Sequence, residues 1–539
     1  MPDTMMPAEH LDAVIIGAGF SGMYQLHLLR DKLGLDVRVL EMGEGVGGTW
    51  YWNRYPGARC DSESHSYCYM FSKELQQEWE WSERYPQQPE IMRYMNFVAE
   101  KLDLKRSIRF GTRVTGARYD AAANLWRIST ARGQSFTATY LITAVGCLST
   151  ANVPKIPGLE SFEGDWYHTG EWPHEGVDFT GKRVGQIGTG STGIQAVPVI
   201  AAQAKHLTVF QRTANYSVPA HNAPLTPEFK QWVKANYDHL RAVMTSNTNG
   251  HPFNISQRSA LDADPAEREA LFEQAWAKGG LQFRATFGDI LQSLEANATA
   301  AEFIKRKIRS IVKDPATAEL LADIDHPYAA KRPPIDSHYF ETFNRDNVTL
   351  VDVRKAPIER ITPRGIVTGG REYEVDIIVF ATGFDAMTGP LLRLNIEGRD
   401  GQPLSEAWAA GPRSHLGLQV PGFPNMFTIT GPGSPSVLCN MPVAIEQHAE
   451  WIADCIAHLR AHGIARMEAT AEAADSWVAE VNRAAEATLL PQASSSWYLG
   501  ANVPGKPRVF MPYAGGMAHY AKICADVAAR GYEGFALTE

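Results

Sequence analysis

Cysteine is scarce in this chain: there are six in 539 residues, with no CxxC pair and only Cys60 and Cys68 near each other. That excludes a disulfide framework and a zinc site, so no metal is expected, and a reducing compartment is. Uninterrupted apolar runs of the roughly 18 residues a membrane span needs are missing as well, so no membrane partner is expected. No lysine or arginine precedes Arg30, and the first apolar stretch is broken by Asp12, Gly17, Gly19 and Gly22. A secretory leader is therefore not expected, and a cytoplasmic location is. Positive charge is not in excess either: Lys+Arg 51 against Asp+Glu 60 gives a formal net charge of −9. A nucleic-acid partner held through its phosphates is thereby disfavoured, although local basic sites remain open. Hydrophobic residues at 44% and charged residues at 21% also exclude a disordered or low-complexity chain.

What is present is enough length for two or three domains with filled cores. Residues 11–16 (LDAVII) form a short apolar run suited to a buried parallel strand, followed at once by Gly17, Gly19 and Gly22. Helical spacing over 23–33 and a second strand ending in Glu41 complete a βαβ unit. A second version starts at 183–187 (RVGQI), passes through Gly188, Thr189, Gly190, Ser191 and Gly193, and returns as the strand 207–210. Between the two lie a strand-rich stretch over 108–142 and a proline-punctuated connection at 154–158. From 226 to 322 the pattern turns to long, charged, helix-rich segments, and strand character resumes at 348–353 and 375–380.

The expected fold is α/β, with two Rossmann-like dinucleotide-binding domains and a helical insertion in the second. The expected division is 1–148 for the first part of the FAD-binding domain and 149–225 for the first part of the NADP-binding domain. The helical insertion then covers 226–325, the rest of the NADP-binding domain 326–384, and the rest of the FAD-binding domain 385–539.

The glycine spacing has a mechanical reading. The first glycine permits a tight turn, the second lets a pyrophosphate approach the backbone, and the third lets helix and strand pack closely. The helix amino terminus then offers unpaired N–H groups to phosphate. Glu41, at the end of the second strand, can accept hydrogen bonds from ribose hydroxyls. The alternative is that these are turn glycines and nothing more. At the second fingerprint the equivalent strand ends in Arg212, with no acid. A guanidinium there can pair with a 2′-phosphate, which favours NADPH over NADH; a solvated surface arginine is the alternative. Two such sites on one chain suggest FAD in the first and NADPH/NADP+ delivered by the second.

The segment 162–173 (FEGDWYHTGEWP) carries Phe162, Gly164, His168, Trp172 and Pro173 with F-x-G-x-x-x-H-x-x-x-W-P spacing. It resembles the fingerprint of the Baeyer–Villiger monooxygenases, class B flavoproteins that oxidise ketones. The segments 45–61 (GVGGTWYWNRYPGARCD), Lys331-Arg332 followed by 343–348 (FNRDNV), 381–385 (ATGFD) and 497–507 (WYLGANVPGKP) are also similar to that family. The likeness runs from about residue 11 to the end. Within the family the chain is most like the phenylacetone-oxidising members, partly because the loop 431–441 is longer than in cyclohexanone-type enzymes.

The resemblance implies an FAD- and NADPH-dependent enzyme that converts a small-molecule ketone and O2 to an ester or lactone, through a C4a-peroxyflavin and a tetrahedral adduct, with sulfoxidation as a side activity. It implies catalytic Arg332, positioned by Asp61, and cofactor contacts from Phe20, Gly48, Thr49, Trp50, Lys331, Ala381, Thr382, Gly383 and Trp497. It places Ser62, Cys147, Leu148, Val437, Leu438 and Met441 at the ketone pocket. The residues alone leave other readings open: a salt-bridged Arg332, a turn-forming Asp61, a solvated Lys331, a core Trp497 and ordinary core at the pocket positions. His168 is expected to position linker and cofactor rather than to transfer protons. A monomer or weak homo-oligomer is expected. Rival activities are a heteroatom-oxidising flavin monooxygenase or N-hydroxylase, an uncoupled NADPH oxidase, and a non-catalytic FAD/NADPH redox sensor.

Overall fold

The computed structural model describes residues 9–539; residues 1–8, the start of the expected segment 1–148, lie outside the described residues. The apolar run after them becomes the strand Glu9–Ile16, whose side chains are buried from Ala13 onward. Such a strand needs partners on both edges. It pairs in parallel with Val37–Leu40, in the register Ala13 to Val37 and Ile16 to Leu40, and with Ser135–Thr143. Beyond Ser135–Thr143 the sheet continues through Leu125–Thr130 and Val114–Asp120, both antiparallel, to Ile396–Glu397. Met426–Thr428 also pairs with Ser135–Thr143, so the carboxy-terminal part of the chain returns into the first sheet at two places.

The second sheet is wholly parallel, in the order Val348–Asp352, His206–Gln211, Arg183–Ile187, Ile377–Phe380 and Asp165–His168. Its crossover helix Ser191–Gln203 buries Ile194, Ala196, Val197, Ile200 and Ala201 against it. Each of the larger aliphatic side chains stabilises the fold by about 1.5–3 kcal/mol. The edge strand Asp165–His168 lies inside the FEGDWYHTGEWP segment, so that segment is built into the second sheet as well as leading to it.

The helices of 226–325 start where their sequence dictates. Thr226, Asp264, Ser293 and Asp314 cap Pro227–Ser246, Pro265–Lys278, Leu294–Ile311 and Pro315–Ala322, each side chain accepting a first-turn backbone N–H. Their packing divides. Val233, Tyr237, Leu240 and Met244 of Pro227–Ser246 enter the core of the first fold. Phe272, Phe303, Ile304 and Leu321, from the other three, enter the core of the second. The expected insertion is therefore a tie between the folds rather than an appendage of one.

The chain crosses between the folds on two adjacent strands. Met387 N–H donates to Cys147 O (2.8 Å), Asp385 N–H to Thr150 O (2.9 Å) and Asn152 N–H to Gly383 O (3.0 Å).

Candidate active site

Each glycine fingerprint is a strand–turn–helix whose fit depends on missing side chains. Gly17 has φ +105°, and a Cβ there would stand 2.5 Å from Ala144 O; at Gly22 it would stand 1.8 Å from Gly17 O. The second fingerprint repeats this: Gly188 has φ +109° with Ala381 O at 2.3 Å, and Gly193 meets Gly188 O at 2.4 Å. Helices Phe20–Leu26 and Ser191–Gln203 both start from a glycine without side-chain capping. Their first N–H groups therefore point into the turns without a side-chain acceptor.

Around the first turn, Gly48 closes on Gly19: a Cβ on Gly48 would lie 2.9 Å from Gly19 Cα. Gly48 caps the short helix Thr49–Trp52, and Gly47 N–H donates to Ala18 O (3.0 Å). Trp50 is buried, its Nε1 donating to Tyr67 OH (3.1 Å), and Phe20 packs edge-on against the same tyrosine. Glu41 is also buried. Its two carboxylate oxygens accept from Ala18 N–H and Gly43 N–H, both at 2.7 Å. Burial pushes its pKa up, and the backbone donors oppose that. Each oxygen keeps a lone pair for a ribose hydroxyl, so these residues fit the adenosine end of a dinucleotide.

The second turn is open: a Cβ on Gly190 would meet nothing within 4 Å. Thr189 Oγ1 donates to Thr213 O (2.8 Å), fixing the turn. Arg212 is exposed, and Lys331 stands near enough that its pKa is lowered by burial first and by the Arg212 charge in addition. Lys331 Nζ donates to Ser495 Oγ (2.8 Å) in the loop that carries Trp497. The Trp497 ring stands edge-on to Tyr498 at 4.5 Å. Two cations, an open glycine turn and a helix terminus form a set that fits a phosphorylated nicotinamide cofactor. Ala381, Thr382 and Gly383 follow the strand Ile377–Phe380, and Thr382 Oγ1 donates to Asn152 O (2.6 Å) in the crossing strands.

Asp61 and Arg332 meet across these folds. Arg332 Nε and Nη2 donate to the two Asp61 carboxylate oxygens, each at 2.7 Å, in a bidentate pair. Nη1 donates to Val437 O (2.8 Å). Side-chain exposure is 23% for Arg332 and 25% for Asp61, so the pair is sheltered but not sealed. Burial works against both charges, yet the Arg332 charge and its hydrogen bonds hold Asp61 below the ordinary carboxylate range. Arg332 is held above its ordinary value in return. Of five guanidinium N–H groups, three are used, and one remains on each terminal nitrogen for an anionic oxygen.

Of the expected pocket residues, Val437 touches this pair through its carbonyl, Ser62 adjoins Asp61, and Cys147 feels the Arg332 charge. Cys147 and Val437 are buried, and Leu148, Leu438 and Met441 pack at the edge of the first core. The Cys147 thiol is pushed up to about 11 by burial and stays protonated near neutrality. Ser62 lines a small cavity with Asp61 and His251. His168 stands elsewhere: Nδ1 accepts from Gly170 N–H (3.0 Å), and the Phe384 ring lies edge-on at 5.9 Å. Burial lowers its pKa to about 4, so it is neutral near pH 7 and a weak base. In the same segment, Phe162 belongs to the apolar cluster around Phe380, a Cβ on Gly164 would stand 2.3 Å from Asp376 O, and Trp172 is core, beside Tyr167 at 5.5 Å. Pro173 follows it, half-buried.

A family model of flavin-binding monooxygenase-like proteins matches residues 11–220. The chain is 47% identical to a Baeyer-Villiger monooxygenase of Pseudooceanicola batsensis, over 98% of this chain and 97% of that one. It belongs to the Baeyer–Villiger monooxygenase family. It is also 45% identical to a cyclohexanone 1,2-monooxygenase of Acinetobacter, over 97% of this chain and 96% of that protein. Among solved structures it matches an oxidised steroid monooxygenase bound to NADP with a TM-score of 0.94 and 52% identity, over 98% of this chain and all of that one.

Three residues that sequence reasoning did not single out stand near the Arg332 of this family member. His251 is buried and pushed down to about 3, by burial first and then by Arg332 and Arg284. Tyr498 is raised to about 12 by burial, with Arg332 and Arg284 opposing. Arg284 is the third. The one signal for His251 was a turn-rich SNTNGH stretch at 246–251 inside a helical region; Tyr498 lay within the family-like segment 497–507, and Arg284 carried none.

Proposed function

We propose that the protein is an FAD- and NADPH-dependent monooxygenase that inserts one oxygen atom of O2 beside a ketone carbonyl, giving an ester or lactone, NADP+ and water. The observation that carries this is Arg332, bidentate on Asp61 yet with a free N–H on each terminal nitrogen. When bound, the flavin supplies the electrons from NADPH that activate O2. The chain supplies the rest. Arg332 stays charged throughout and holds an anionic oxygen without giving up a proton. Asp61 fixes its plane, and its ionised state persists below ordinary carboxylate pH. Val437 ties the guanidinium to the loop 431–441, so ketone pocket and charge are placed together.

Gly17, Gly19, Gly22, Glu41 and Gly48 hold FAD in this reading, and Gly188, Gly190, Gly193, Arg212 and Lys331 hold NADPH. Trp497 donates its indole N–H to the cofactor. His168, neutral and wedged by Phe384 against the crossing strands, positions the second fold. Ser62, Cys147, Leu148, Val437, Leu438 and Met441 shape the ketone site. Thioethers are oxidised to sulfoxides as a side reaction. We place the enzyme in the cytoplasm as a monomer or weak homo-oligomer.

The test is NADPH consumption over aliphatic, cyclic, aryl and steroid ketones, with products identified by mass. A lactone from a cyclic ketone, 16 mass units heavier, is the expected result. N- or S-oxides without any lactone would move the protein to heteroatom oxidation, and hydrogen peroxide alone would make it an NADPH oxidase.

A further inference from the structure

Arg284 stands apart from the other sheltered arginines. Among the described residues every other half-buried arginine donates to a carboxylate, carbonyl or hydroxyl. Arg284 is half-buried and has neither a hydrogen bond nor an ion pair. All five of its N–H groups are uncommitted.

Its position is fixed by the turn Leu281–Ala285. Phe283 is fully buried, with its ring 5.4 Å from Phe272 and edge-on to Tyr328 at 5.7 Å. Leu281 and Gln282 of the same turn line the small cavity that contains Asp61, Ser62 and His251. The turn is thus pinned beside the Asp61–Arg332 pair, and the Arg284 charge is felt at Arg332, Tyr328, Tyr498 and His251. Arg332 holds both oxygens of Asp61, and Glu63, the other carboxylate lining that cavity, is held by Arg84, so neither is paired with Arg284. His251 adds no compensating charge. A sheltered cation without a counter-ion is costly to keep, and the arrangement favours an anion that arrives with a ligand.

We propose that Arg284 is a specificity-determining residue that receives an anionic substituent, a carboxylate carried by the ketone, while Arg332 serves the carbonyl. The assignment rests on the ketone-oxidising reading above. It predicts that keto acids are preferred over neutral ketones of the same shape.

The experiment compares kcat/KM for 4-oxocyclohexanecarboxylate and cyclohexanone in the native enzyme, Arg284→Gln and Arg284→Lys. The carboxylate-to-neutral ratio is expected to fall about tenfold or more in Arg284→Gln, through KM, and to be largely kept in Arg284→Lys. A measurement that needs no variant is the native ratio against added salt, which is expected to fall as screening rises. An unchanged ratio in Arg284→Gln overturns the assignment, as does an equal loss on both ketones. So does a rise in KM for NADPH, which gives the guanidinium to a cofactor phosphate. Failure of the native enzyme to oxidise either ketone would instead overturn the ketone-oxidising reading, and this assignment with it.

Discussion

The two nucleotide folds begin from the same strand, turn and helix and diverge where a ligand would lie. Gly17 and Gly188 both run under a carbonyl of the neighbouring strand, Ala144 O and Ala381 O, and Gly22 and Gly193 both press on the first glycine of their turn. The middle glycine separates them. Gly19 is covered by Gly48, whereas Gly190 faces open space. At the ribose end, Glu41 is buried and tied to two backbone N–H groups, while Arg212 is exposed near Lys331. Under the proposed function, the first fold is a clasp for a ligand that stays, and the second a dock for one that comes and goes. One spacing thus sits in two different surroundings, and the difference comes from segments remote in sequence: 45–50 for the first and 331 with 495–497 for the second.

The largest effect should come from giving each turn a Cβ. Gly48→Ala puts a methyl group 2.9 Å from Gly19 Cα in a left-handed residue, and purified protein should lose most of its flavin, read from absorbance and from released FAD. Gly190→Ala should keep its flavin and raise the KM for NADPH several-fold. Equal flavin loss in both would erase the distinction between clasp and dock.

Next in size is the charge at the dock. Arg212→Ala removes the proposed charge-assisted pair with the 2′-phosphate, and KM for NADPH should rise about tenfold to a hundredfold, with the NADH value nearly unmoved. A parallel rise for NADH would take Arg212 off the 2′-phosphate.

The smallest effect lies where the helix Pro227–Ser246 ties into the first core. There Glu446 is buried, accepts from Met70 N–H at 2.5 Å and lies 3.6 Å from Arg241. Burial pushes its pKa from 4.5 up to about 7. The folded state therefore prefers the protonated form, and stability is lost as pH rises from the unfolded value through about 7. Glu446→Gln should raise Tm above neutral pH by about 2 °C or more, with the gain shrinking toward pH 5. A gain independent of pH would rule out ionisation as the cause.

Much of this was legible in local sequence. The glycine turns, Glu41 and Arg212 stand in motifs whose chemistry is written within a few residues, whereas the pairing of Asp61 with Arg332, 271 residues apart, was implied only by the family resemblance. Other features depend on contacts that no local pattern encodes. The edge strand Asp165–His168 is short and half exposed, and its strand character comes from pairing with Ile377–Phe380. The helices of 226–325 are readable one by one from their caps and apolar spacing, but their division between two cores is set by which faces meet. Arg284 looked like one more charge in a charged region; its lack of a partner is visible only once the fold surrounds it.

Arg332 is the group proposed to hold anionic oxygen beside the ketone. The direct measurement is lactone formed per NADPH consumed in Arg332→Lys, with cyclohexanone under air and hydrogen peroxide determined in parallel. Lysine keeps a positive charge but loses the fork that grips Asp61 and leaves two N–H groups free. Continued NADPH oxidation is expected, with a fall in lactone per NADPH of about a hundredfold and peroxide making up the difference. Lactone per NADPH equal to that of the native enzyme would contradict this role of Arg332.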